Sequence, residues 1–121
     1  MSDAGLFVGF GQPARAREPQ AVELLRRAHA LYSELQERGE IDSFETVLLE
    51  PHGGDLGGFI LIRGTADQMH GLRCSDEFRR INARAGLVVE HFGVVDAHVG
   101  DGMSAQLAIY EQQMNEQLGA S

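Results

Sequence analysis

The chain has 121 residues, of which 43% are hydrophobic and 23% charged; this balance excludes a disordered chain and suffices for one domain spanning residues 1–121. Its net charge of −8 argues against a nucleic-acid partner, because polyanion binding needs clustered cations, and no apolar run approaches the roughly 18 residues of a membrane span. All ten basic residues are arginine and Cys74 is the single cysteine, so a lysine Schiff base, an internal disulfide, a Cys-held iron–sulfur cluster and a Cys-rich zinc site are excluded.

The sequence also lacks a Gly-x-x-x-x-Gly-Lys phosphate loop and a His-Glu-x-x-His helix. No basic segment precedes an apolar stretch in Met1–Gly5, so a signal peptide is not expected, and the lone thiol fits a reducing cytoplasm. The basic residues Arg73, Arg79, Arg80 and Arg84 are interrupted by Asp76 and Glu77 and read as a solvated helix face.

Leu6–Gly11 reads as a first strand closed by Gln12-Pro13. From Pro19 to Arg38, apolar residues at Ala21, Leu24/Leu25, Ala28, Leu31/Tyr32 and Leu35 predict a helix with one buried stripe, stopped by Gly39. Ser43–Glu50 and Gly58–Arg63 predict two further strands, and the glycine-rich connection Pro51–Asp55 makes them an antiparallel hairpin. Thr65 and Gln68 have capping-box spacing, Gly71 is expected to weaken or break the helix they open, and Ser75-Asp76-Glu77 offers a second start. Gly86 is expected to lead into a long strand, Leu87–Val99. The stripe Met103, Leu107, Tyr110, Met114 and Leu118 predicts a terminal helix.

This β-α-β-β-α-β-α order matches the ferredoxin-like split βαβ arrangement, an α+β fold with a four-stranded antiparallel sheet in the spatial order 4-1-3-2. Helices on one face only should leave alternating apolar and polar residues. Ile60 and Ile62 nevertheless oppose Phe59 and Leu61, and Phe44 and Leu48 oppose Val47 and Leu49. Leaving such side chains wet costs about 1.5–3 kcal/mol each. A homodimer is therefore expected, with a partner sheet covering the second face.

The element order, the run Arg63-Gly64-Thr65-Ala66-Asp67, the helix start Ser75-Asp76-Glu77-Phe78 and the predicted long last strand resemble the dimeric α/β-barrel superfamily, which includes muconolactone-isomerase-like and antibiotic-biosynthesis-monooxygenase-like proteins. The resemblance covers nearly the whole chain at the level of pattern. It implies two sheets facing each other around a ligand-sized cavity, and it transfers no catalytic residue.

Two acid–histidine pairs stand two residues apart, Glu50-x-His52 and Asp96-x-His98. In a strand each pair shares one face, roughly 7 Å apart at Cα, and a carboxylate beside imidazole suits a general base. His98 with Asp96 is the candidate catalytic pair. Arg63, Glu50, His52, Phe10, Phe59 and Glu90 are the candidate substrate-binding residues. Asp96–Arg63 reads as a charge pair satisfying buried groups ahead of a catalytic device, His52 as a solvated loop residue ahead of a ligand contact, and His91 as a core histidine facing the helices. Cys74 reads as an inert thiol without a histidine neighbour. The topology disperses the histidines, so neither a metal site nor a cofactor is expected. Two functions fit: a small-molecule-binding or structural homodimer with a cavity between two sheets, or a cofactor-independent isomerase or monooxygenase.

Overall fold

In the computed structural model, which describes residues 2–117, eight elements follow in the order β1 (Ala4–Phe10), α1 (Glu18–Glu37), β2 (Ser43–Leu48), β3 (Gly58–Gly64), α2 (Ala66–Cys74), α3 (Asp76–Val88), β4 (Gly93–His98) and α4 (Asp101–Gln117). Leu118, the last member of the terminal stripe, lies outside the described residues.

Local chemistry sets the helix ends. Pro19 occupies the first turn of α1, where its missing N–H costs nothing. Gly39 adopts φ +75 just past the last turn, and the Glu40 N–H closes back to the Leu35 carbonyl at 2.9 Å, a turn that favours a residue without Cβ. At α2 the Gln68 N–H donates to Thr65 Oγ1 (3.1 Å) and the Thr65 N–H to Gln68 Oε1 (2.7 Å), completing a capping box. Ser75 has extended backbone angles and accepts from the Phe78 N–H at 3.2 Å, so it ends α2 and starts α3.

Both glycines expected to interrupt helices lie inside them. Gly71 sits within α2 and Gly86 within α3, each with open space where a Cβ would be. Helix α3 continues through Gly86 because Ala85 and Val88 are buried against Ala21 and Leu24 of α1, and that packing outweighs glycine's poor propensity. The expected strand Leu87–Val99 is corrected accordingly: its first residues belong to α3 and a loop, and only Gly93–His98 is strand.

The strands pair antiparallel in the order β2-β3-β1-β4. Leu6 stands opposite both Ile62 and Asp96, and Val8 opposite both Ile60 and Val94. The helices α1–α3 cover the face carrying Leu6, Val8, Ile60 and Ile62, all buried in one core with Tyr32, Leu35, Met69, Leu72 and Phe78. The other face carries Phe7, Val47, Phe59, Leu61 and Val95, with Phe7 stacked on Phe59 (centroids 5.1 Å apart) and Arg63 3.8 Å from Glu45. Residues of β3 alternate strictly between buried on the helical side and half-exposed on the open side.

Helix α4 buries none of its described residues, and its few contacts are with β4, the strand it follows. It does not cover the open face. The expectation of an α/β barrel is overturned: the sheet is open, with β2 and β4 as its edges, and does not close into a barrel. Among the described residues, no helix is long and apolar enough to cross a membrane.

The caps and the helix-interior glycine set opposite expectations. Thr65→Ala removes a cap and should lower unfolding free energy by about 1 kcal/mol, whereas Gly71→Ala should raise it by roughly 0.5–1 kcal/mol. Urea denaturation of the two variants measures both.

Candidate functional site

An apolar cavity of about 310 Å³ lies between the helices and the sheet. Its origin is legible in α1. The buried stripe of that helix carries alanine at two positions seven residues apart, Ala21 and Ala28, between the bulkier Leu24 and Tyr32. Two helical turns apart on one face, these small side chains leave space above Val8, Phe10 and Ile60 of the sheet. Ile81, Asn82 and Ala85 of α3 form a second wall.

The third wall is backbone. Beyond β1, the Gly11 N–H donates to the Glu90 carbonyl (2.7 Å), the Glu90 N–H to the Gln12 carbonyl (2.8 Å) and the Ala14 N–H to the Val88 carbonyl (2.7 Å). Gly11 is required there, because a Cβ would meet the Asp55 and Glu90 carbonyl oxygens at 2.8 Å. Opposite this ladder, at the β2 edge, Val22, Leu48 and Leu49 rim the mouth and are exposed by 54%, 65% and 37%.

Among the described residues, no charged side chain lines the cavity; Gln12, Asn82 and Tyr32 supply its polar side chains. Tyr32 is buried, and burial pushes its phenol above the usual tyrosine range, so it stays protonated. Its ring packs obliquely on Phe44 (5.8 Å), which in turn receives His29 edge-on (5.1 Å). The Tyr32 hydroxyl makes no hydrogen bond to another described residue. A second groove, lined by Arg17, Glu23, Arg27, Arg84 and Leu87, lies on the outer side of α1 and α3.

The candidate residues from the sequence are dispersed. Phe10 lines the cavity, whereas Phe59 is on the open face, stacked on Phe7. Glu90 contributes its backbone to the ladder while its side chain is exposed. Glu50 lies beyond the end of β2 and is exposed. His52 Nε2–H donates to the Leu56 carbonyl at 2.7 Å and its Nδ1 accepts from the Gly54 N–H at 3.2 Å, so the imidazole laces its own loop.

Asp96 and His98 share one face of β4, the helical one, and both are exposed. Asp96 pairs with Arg73 of α2 at 3.4 Å rather than with Arg63, which faces Glu45 on the other side of the sheet. His91 is an exposed loop residue with φ +53, 3.8 Å from Asp55, not a core histidine. Cys74 does have a histidine neighbour: His70 Nε2 lies 3.8 Å from its sulfur, one helical turn away. Among the described residues, no three His, Cys, Asp or Glu side chains come together as a metal-binding group.

No protein-family model and no curated protein matches the sequence. Solved structures do match the fold. A dimeric ferredoxin-like protein of unknown function from Jannaschia sp. has a TM-score of 0.60 at 13% identity, over 79% of this chain and 99% of that one. The chain has a ferredoxin-like fold. A second dimeric protein of unknown function with this fold, from Bacteroides fragilis, matches with a TM-score of 0.58 at 10% identity, over 79% of this chain and 96% of that one. SnoaB, a cofactor-independent oxygenase from Streptomyces nogalater, matches with a TM-score of 0.53 at 13% identity, over 81% and 94% of the two chains. These are the kinds of protein to which the sequence resemblance points.

Removing an unpartnered hydroxyl should cost little, whereas removing the ring should cost much. Tyr32→Phe is expected to change unfolding free energy by less than about 1 kcal/mol, and Tyr32→Ala to lower it by roughly 3–5 kcal/mol. Thermal and urea unfolding check both values.

Proposed function

We propose that this protein is a homodimer that binds a small, uncharged and largely apolar molecule in the cavity beneath α1. The observation that carries this reading is the Tyr32 phenol, a neutral hydrogen-bonding group in an apolar wall that makes no hydrogen bond to another described residue. Ligand pockets combine such walls with a few polar groups that orient the ligand, and a volume of about 310 Å³ falls at the lower end of their range of roughly 300–1,000 Å³. A charged ligand would lose its hydration against Val8, Leu24 and Ile60 with no counter-charge in the lining.

The homodimer is supported by the dimeric proteins that share this fold and by the open sheet face. Phe7, Phe59, Leu61 and Val95 there lack a covering layer among the described residues, and Val95 is 57% exposed. A second copy offers an identical face, which is the requirement for a two-fold interface.

A second reading is favoured by the shared fold of SnoaB: a cofactor-independent oxygenase or isomerase, with His98 as base and Asp96 beside it on the helical face of β4, and without Arg63, which lies on the other face of the sheet. On that reading His98→Ala abolishes turnover of whatever molecule is released from the purified protein and identified by mass spectrometry. Unchanged turnover rejects His98 as the base.

The cavity is tested with the neutral fluorescent probe N-phenyl-1-naphthylamine. Wild-type protein should enhance its emission saturably, and Ala28→Leu should abolish that enhancement by filling the space while leaving the far-ultraviolet circular dichroism unchanged. Equal binding by Ala28→Leu would place the probe elsewhere and reject this site. For the dimer, sedimentation equilibrium should give twice the chain mass, and Leu61→Arg should weaken association by at least about tenfold. A wild-type monomer at micromolar concentration refutes the assembly.

A further inference from the structure

We propose that the outer groove between α1 and α3 binds a soluble organic phosphate, a small molecule that joins a dianionic phosphoryl group to an apolar body. This site is separate from the apolar cavity beneath α1 and depends neither on that reading nor on the homodimer.

The seam between the two helices is closed by Ala21 and Leu24 of α1 against Ala85 and Val88 of α3. Outside it lie two adjoining hollows, of about 550 and 310 Å³. Arg27 and Arg84 line both, Arg17 completes the first and Arg80 the second. Arg80 and Arg84 are one turn apart on α3, so they stand on the same side of that helix. All four guanidinium groups are exposed. Among the described residues none of them pairs with a carboxylate; the arginines that do are Arg38, Arg63 and Arg73.

The charge in the groove selects the ligand. Its four arginines face two glutamates, Glu23 and Glu77, which leaves a surplus of two positive charges on a chain whose net charge is −8. Glu77 is itself shared with Arg38, 3.8 Å away. Like charges gathered on one face repel, and an anion seated among them relieves that cost. A phosphate monoester carries about −1.5 to −2 at neutral pH, which matches the surplus, whereas a single carboxylate would leave half of it unanswered. The planar guanidinium fork also matches two phosphate oxygens at once. Beside the charges, Leu24 lines both hollows, Leu31 the second, and Leu87, 75% exposed, the first. These give the ligand's apolar body a surface to cover. The larger hollow lies within the range of small-molecule sites, roughly 300–1,000 Å³, and its concave shape suits one soluble molecule rather than a flat bilayer.

Isothermal titration calorimetry of the full-length chain with 1-naphthyl phosphate at low ionic strength supplies the test. Saturable binding is expected, tighter than that of inorganic phosphate and weakened by added salt. Arg27→Gln combined with Arg84→Gln should weaken it by at least about tenfold. Arg79→Gln removes the same kind of charge from α3 outside both hollows and should leave the affinity unchanged. No saturable binding by the wild type overturns the site, as does an undiminished affinity in the Arg27/Arg84 double variant. An equal loss in Arg79→Gln assigns the effect to overall charge and overturns it too. Equal affinity for inorganic phosphate overturns the apolar half of the proposal. Displacement of 1-naphthyl phosphate by N-phenyl-1-naphthylamine places it in the apolar cavity and overturns the groove. Binding to phosphatidylglycerol vesicles without binding of 1-naphthyl phosphate overturns the soluble ligand in favour of a membrane surface.

Discussion

A strand presents side chains to two faces, and this chain supplies a helical layer for one of them. Leu6, Val8, Ile60 and Ile62 are buried beneath α1–α3, while their neighbours Phe7, Phe59 and Leu61 remain half-exposed. Everything else in the molecule answers to that asymmetry. The helical side is a packed core with one cavity, and the open side has no covering layer among the described residues. Arg63 and Glu45 there add a polar contact to an otherwise greasy layer, an exposed pair that adds little stability.

The gap on the helical side has an economical origin. Helix α1 keeps its stripe continuous for packing but uses alanine at Ala21 and Ala28, so the helix sits on the sheet without filling the space beneath it. Native interiors are otherwise close-packed, and an apolar void lowers stability because its lining atoms lose contacts. A protein that keeps such a void beside an unpartnered phenol gives up stability that a pair of larger side chains would recover, a trade associated with function.

Much of the scaffold was legible in the sequence because its signals are local. The α1 stripe, the Thr65–Gln68 capping box and the Ser75 start depend on neighbours within one or two turns, and the structure has them. Gly86 was misleading for the opposite reason: the helix passes through it because Ala85 and Val88 find Ala21 and Leu24, which are remote in sequence. The candidate site suffered most from a two-fold ambiguity. Alternation shows that Asp96 and His98 share a face, but with apolar residues on both sides it does not show which face the helices take. The structure puts Asp96 on the helical side with Arg73, and Arg63 on the other. Tyr32 was visible only as one more stripe residue; the seven-residue spacing of Ala21 and Ala28 was the available hint of space beside it.

The laced segment at the end of β1 bears on how anything reaches that space. Gln12, whose carbonyl accepts from the Glu90 N–H, and the facing residues Pro13 and Val89, held between that bond and the one from the Ala14 N–H to the Val88 carbonyl, are also cavity lining. Spreading them apart would break several backbone hydrogen bonds at once, whereas swinging Val22, Leu48 or Leu49 aside needs only rotamer changes, which take place in picoseconds to nanoseconds at exposed positions. The cavity wall is thus stitched along one seam and bounded by movable side chains along the other, like a purse.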